Sequence, residues 1–215
     1  MVIKREKTGF RQKQISAAAA KLIVKLGGEH VTIKNIALEI GLSEAAIYRH
    51  FRDKRAIYSF LIGYAKKVLS ADLAYIRLNK SVELADPEFL VRRHLANVVK
   101  RRGIFFQVFT EVISMGDRQL NREAFNAIIY YIDCIAQIFR SRTSSRYFRE
   151  GTDPACSALI FYSLLQFLVN SWTLSGYSFD LESRFDSVWS SYTLPQQARE
   201  TDIQDSGCTQ WKWIR

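Results

Sequence analysis

Basic side chains gather around one short stretch of this sequence. Lys4, Arg5, Lys7, Arg11 and Lys13 precede it, Lys34 opens it, and Arg49, Arg52, Lys54 and Arg55 follow it. Residues 1–66 hold 13 Lys/Arg against five Asp/Glu, so +8 of the chain's net +10 sits in its first third. Cations at this density can neutralise phosphates on both sides of a nucleic-acid groove. A solvated basic face or an anionic membrane surface would draw on the same charges. Inside the cluster, Glu44, Ala45, Tyr48 and Arg49 share the outward side of one short segment, presenting a carboxylate, a methyl, a phenol and a guanidinium together.

Helical periodicity supplies the elements that must hold them. Ile15, Ala19, Leu22, Ile23 and Leu26 fall on one face of a first helix, which Gly27-Gly28 stops. Thr32 is placed to cap a second helix with Ile33, Ile36, Ala37 and Ile40 inward, and Gly41 to end it in the left-handed conformation. Leu42 plugs the angle between helices, and Ser43 caps a third helix running to about Phe51. Residues 32–51 therefore have the pattern of a helix-turn-helix, which holds its second helix proud of the domain at a diameter that fits the major groove. An ordinary helical hairpin satisfies the same spacing, and the flanking charge favours the groove.

Residues 11–62, and above all Gly41-Leu-Ser-Glu-Ala-Ala-Ile-Tyr-Arg-His-Phe-Arg-Asp-Lys54, closely resemble the DNA-binding domain of TetR-family transcriptional regulators. The shared features are a Gly-hydrophobic-Ser turn, a Tyr-x-His-Phe end to the recognition helix and a Lys opening the next helix. Ile57 stands where leucine is usual. The resemblance implies phosphate contacts from Thr32, Tyr48, His50 and Lys54, and base-edge contacts from Lys34, Glu44 and Ala45. Ser43 and Arg49 complete the implied DNA-binding set. The chemistry is consistent with those roles: lysine reaches guanine acceptors, a carboxylate accepts from cytosine N4, and an alanine methyl touches a thymine methyl.

Beyond residue 62 the sequence continues in helices. Asp53 is placed to cap a helix from Lys54 to about Asn79 whose stripe Ile57, Leu61, Ala65, Val68 and Leu69 outruns the small head, so it links head to body. Asp86-Pro87 and Asp153-Pro154 each set a capping acid before a proline at the first helical position. The spacing predicts helices at Pro87–Arg102, Ile104–Met115, Leu120–Arg142, Pro154–Leu174 and Leu181–Tyr192, with Pro195 closing the last. The expected fold is all-α with about nine helices: a head over 1–62, a helical body over 63–194 and a polar tail over 195–215.

By the same resemblance, the body forms a homodimer through the helices Pro154–Leu174 and Leu181–Tyr192, with Leu164, Leu165, Leu168, Trp172, Phe185 and Trp189 as contacts. It also encloses a small-molecule effector. Phe105, Phe109, Phe125 and Tyr130 offer aromatic lining, and Gln107, Glu111 and Asn126 could orient a small, mostly apolar ligand. The expected partner is a palindromic double-stranded DNA operator released when the effector binds, with repression the favoured sense. A DNA-bound adaptor whose body docks a protein partner is the alternative.

Other classes find little support. Cys134, Cys156 and Cys208 are odd in number and lack a C-x-x-C pair, and His30, His50 and His94 show no ligand spacing. Neither a disulfide framework nor a metal or cofactor site is indicated, and the thiols suit a reducing cytoplasm. No nucleotide-binding glycine loop, nucleophile elbow or zinc-protease motif occurs, so no enzyme is expected. No apolar segment precedes Gln12 to suggest a signal peptide. The run from Ala158 to Leu174, broken by Ser163, Gln166, Asn170 and Ser171, reads as a buried helix rather than a membrane span.

Overall fold

The computed structural model describes residues 2–78, 87–140 and 151–193; the Asp86 cap and the tail 195–215, with Cys208, lie outside them, as do the side chains of Lys4, Arg5 and Lys7. Nine α-helices and a one-turn 3-10 helix make up the described residues, with no strand among them. The helices are α1 (Val2–Leu26), α2 (Ile33–Glu39), α3 (Glu44–Tyr48), α4 (Lys54–Leu78), α5 (Pro87–Lys100), α6 (Ile104–Ser114), α7 (Arg118–Phe139), α8 (Pro154–Leu174) and α9 (Leu181–Thr193). The 3-10 turn, Gly28–His30, separates α1 from α2.

The head closes around the residues that the periodicity turned inward. Ile15, Ala19, Leu22, Ile23, Ile36, Ala37, Ile47 and Phe51 are buried. Leu26, on the same stripe by spacing, is exposed, because it stands in the last turn where the chain leaves the core at Gly27. Asp53 caps α4 as expected, accepting the Ala56 N–H at 2.7 Å. The helix then packs on α1 at one end and on α5, α6 and α7 along its length, with Ile57, Leu61, Ala65 and Leu69 buried.

The body is built on α6, α7 and α8. Asp153 accepts the Ala155 N–H at 3.0 Å with Pro154 opening α8, which is the cap that the Asp-Pro pair implies. Gly103, between α5 and α6, has φ +62, and a Cβ there would lie 2.3 Å from Val169 Cγ1 of α8. Only glycine permits both that backbone and that approach. Around Trp189, the rings of Phe161 and Phe185 lie at centroid distances of 5.4 and 5.8 Å, tying α8 to α9.

That cluster corrects one expectation. Leu165, Leu168, Trp172 and Phe185, assigned from the sequence to a partner subunit, are buried within the protomer. Leu164 and Trp189 pack, partly buried, against the same core. The apolar face that α8 leaves uncovered consists instead of Leu159, Ile160, Phe167 and Leu174, joined on α9 by Val188 and Tyr192. Ile160, Phe167 and Leu174 recur every seven residues, so they form one stripe. α8 is apolar on both sides; by length and composition it could cross a membrane, but here one side is core.

Candidate nucleic-acid interface

Two caps and one glycine shape the reading unit. Thr32 Oγ1 accepts the Asn35 N–H at 3.1 Å, and Ser43 Oγ accepts the Ala46 N–H at 3.2 Å, so each short helix has its first turn satisfied. Such a cap contributes about 1 kcal/mol. Between them Gly41 adopts φ +66, and the Leu42 N–H donates to the Ala37 carbonyl at 2.9 Å, closing the turn. Ile47, fully buried, fixes the inward face of α3.

The third helix is shorter than its pattern suggested. It ends at Tyr48, and Arg49 and His50 lie in a turn rather than in a helix reaching Phe51. The Asp53 cap requires the chain to change direction at once, and the Phe51 ring anchors the bend edge-on against Phe60 at 5.6 Å.

Thr32, Lys34, Ser43, Glu44, Ala45, Tyr48 and Arg49 are all exposed, while the apolar residues interleaved with them are buried or half-buried, except Leu38, which is 70% exposed. Tyr48 keeps 52% of its surface open, unusual for an aromatic side chain flanked by core. Two members of the expected set sit deeper. His50 is half-buried, and its Nδ1 lacks a hydrogen-bond partner. Lys54 is half-buried, donating from Nζ to the Gly28 carbonyl at 3.2 Å and standing 5.5 Å from the Tyr58 ring. One of the three ammonium protons is used in that bond, leaving two for a phosphate.

The seven residues expected around an effector do not share one cavity. Phe105, Gln107 and Phe109 are buried on α6. The Gln107 amide is engaged inside the protein, donating to the Arg102 carbonyl at 2.7 Å and to the Tyr177 hydroxyl at 3.2 Å. Phe125, Asn126 and Tyr130 are exposed on α7. Tyr130 borders a hollow of about 230 Å³ between α4 and α7, and Phe105 borders a separate one of about 590 Å³ between α1, α4 and the α5–α6 turn. The remaining residue, Glu111, packs its carboxylate group on Gly28, where a Cβ would lie 1.7 Å from Glu111 Cδ.

Glu111 thereby belongs to a seam between head and body that the sequence did not disclose. Arg55 of α4 pairs with Asp117 at 3.1 Å and also bonds Gln119. One turn on, Ser59 donates to Glu123 at 2.6 Å. Beneath them Tyr58 is fully buried with its hydroxyl unpartnered, and burial, reinforced by the Glu111 charge, raises its pKa. Pairs separated by 62 or 64 positions leave no local signature. The only sequence-level hint was an excess of polar residues on the side of α4 opposite its apolar stripe.

Residues 15–59 match the family model for bacterial regulatory proteins of the tetR family. Over 189 residues the chain is 26% identical to the nucleoid occlusion factor SlmA of Colwellia psychrerythraea, covering 83% of this chain and 90% of that protein. Among solved structures, the regulatory protein TetR from Rhodobacter sphaeroides superposes with a TM-score of 0.69 at 15% identity, over 84% of this chain and 97% of that one. The transcriptional regulator FadR from Bacillus subtilis, solved with stearoyl-CoA, gives 0.67 at 17% identity, over 85% and 97%. At these identities the structural likenesses establish the fold, and the match over residues 15–59 carries the function of the head.

Proposed function

We propose, from the premise that this chain is a DNA-binding regulator of the TetR family, that it works as a homodimeric repressor whose two heads read a palindromic operator and release it when a small effector binds. The observation that carries the reading is the separation of surfaces in the head. Lys34, Glu44, Ala45 and Tyr48 are exposed on a unit whose other apolar residues, Leu38 apart, are buried or half-buried in its own core. In this reading Lys34, Glu44 and Ala45 meet base edges, and Thr32, Ser43, Tyr48, Arg49, His50 and Lys54 meet phosphates.

Two heads must face successive major grooves, about 34–36 Å apart. The uncovered stripe Ile160, Phe167 and Leu174, with Val188 and Tyr192, is the surface that supports pairing, since burial of such a face drives association. Binding is tested by fluorescence anisotropy on the DNA upstream of the gene across a salt series. A site-specific complex is expected at salt concentrations that abolish binding to unrelated DNA of equal length. Equal affinity for both at every salt would overturn the specific-regulator reading.

The adaptor reading keeps one observation of its own. The likeness to nucleoid occlusion factors runs through the body, and Ile113, Phe125, Ile129 and Tyr130 leave apolar surface open on α6 and α7. A body that docks a protein would keep its DNA affinity unchanged across any metabolite screen and would lose partner binding on Phe125→Asp.

A further inference from the structure

The groove of about 590 Å³ between α1, α4 and the α5–α6 turn combines a cluster of cations with an apolar lining. Six cations line it: Lys13, Lys21 and Lys25 from α1, and Lys100, Arg101 and Arg102 from the end of α5 and the turn after it. No Asp or Glu is among its lining residues. Lys21 is paired outside the groove with Glu39, and the guanidinium of Arg102 stands over the Tyr177 ring at 4.5 Å. Lys25 feels the Glu39 carboxylate at longer range, and Lys13 and Lys100 make no hydrogen bond or ion pair among the described residues. Like charges brought together in a concave site repel one another and focus a positive potential into it.

Its floor has the opposite character. Ala17, Ala20, Val24, Phe60, Leu61 and Ile104 present carbon to the groove, and Tyr64 meets Phe105 edge-on at 5.9 Å. One polar group lies within this wall: Ser16 is 2% exposed, and its hydroxyl has no hydrogen-bond partner. A volume of this size lies within the range of small-molecule sites.

We infer that this groove is a binding site for an amphipathic anion, an acyl or aryl chain carrying a carboxylate or phosphate. The chain covers the floor and the anionic end is held by the cationic rim. A neutral hydrophobe would leave the rim's repulsion unrelieved, and a duplex phosphate backbone would leave the apolar floor unused. The walls come from the head on one side and the body on the other, so an occupant contacts both and biases their relative setting. Binding stands on the groove alone; its consequence for DNA release rests on the effector reading proposed above.

Octyl phosphate, 1-octanol and inorganic phosphate, each titrated calorimetrically into the full-length protein without DNA, provide the test. Octyl phosphate is expected to bind at least tenfold more tightly than either of the others. The double variant K25E/K100E, exposed at both positions, should lose at least tenfold of that affinity at unchanged melting temperature, and K25R/K100R should keep it. Octyl phosphate binding no tighter than inorganic phosphate or octanol, or undiminished in K25E/K100E, overturns the inference. If octyl phosphate binds as expected but leaves the complex with upstream DNA intact, the site stands and the effector reading falls at this groove. Release of DNA by a neutral hydrophobe that K25E/K100E binds normally would uphold the effector reading and place its ligand elsewhere.

Discussion

Head and body are made of the same material, amphipathic helices around one continuous core, yet they expose function in opposite ways. In the head, the residues with chemistry to offer are those that the core does not need: Lys34, Glu44, Ala45 and Tyr48 all point to solvent. In the body, the strongest aromatic candidates, Phe105 and Phe109, are themselves core. Contact and packing are separable in the first region and entangled in the second. Substitutions should therefore divide cleanly in the head, moving either affinity or stability, while in the body only the outermost residues divide.

The sharpest break of that comparison lies within α8. Leu165 is fully buried and Phe167, two residues on, is 54% exposed. Leu165→Ala should lower the stability of the protomer by about 2–5 kcal/mol, read in urea or thermal unfolding. Phe167→Glu should leave protomer stability within about 0.5 kcal/mol and instead shift the particle mass from two chains to one in light scattering. Equal destabilisation by both changes, with no change in mass, would remove the α8 stripe as the pairing surface.

Two left-handed glycines extend the contrast at smaller scale. Gly103→Ala faces a strained backbone and Val169 at 2.3 Å, a combined cost of about 2–4 kcal/mol. Gly41→Ala faces only the backbone term, since nothing lies within 4 Å of its would-be Cβ, and about 1 kcal/mol is expected. The reading helix tolerates crowding because its surroundings belong to the ligand rather than to the fold. Thermal unfolding of the two variants side by side measures the difference; equal losses would mean that the α6–α8 approach relaxes without cost.

These cases mark how far the sequence could be read. Caps and glycine stops are local, so the bounds of α8 and the turns at Gly27 and Gly41 follow from residues within one helical turn. Much of the head was legible for the same reason, although spacing placed Leu26 inward and ran α3 on to Phe51: whether a position such as Lys34 or Glu44 faces outward is decided within one helical turn. What a helix packs against is not local. Leu165 and Phe167 are equally apolar, and period alone cannot say which side of α8 is buried against α7 and α9 and which stays exposed. The same limit hid the seam, where Arg55 finds Asp117 across 62 positions, and the groove, whose cations come from two segments more than 70 residues apart.

Affinity without stability is the head's own signature, and Lys34 and Tyr48 should show it. Lys34→Ala should weaken the site-specific complex by about 1–3 kcal/mol and narrow its advantage over unrelated DNA. Tyr48→Phe, removing a phosphate-facing hydroxyl, should weaken specific and unrelated DNA alike by about 1 kcal/mol. Neither should move the melting temperature, because both side chains are exposed. A fall in melting temperature that matches the loss in binding would show that the face belongs to the fold after all.

The smallest expected effect falls where the two regions meet, at Asp117. Its carboxylate accepts the Leu120 N–H at 3.0 Å and the Gln119 N–H at 2.9 Å, capping α7, and also pairs with Arg55 of the head. The Leu120 bond first, then the Gln119 bond and the Arg55 charge, hold its pKa below the ordinary aspartate value. A carboxyl depressed in the folded state contributes stability that is complete above the unfolded pKa and is lost as pH falls through the folded one. The pair should therefore add a gentle decline in melting temperature below about pH 4. Asp117→Asn keeps an oxygen for the cap but neither titrates nor attracts Arg55, so its profile should run flatter through that range while matching the parent more closely at the acid end. Parallel profiles for parent and variant across the whole acid limb would mean that neither the α7 cap nor the Arg55 contact holds the Asp117 carboxyl down in solution.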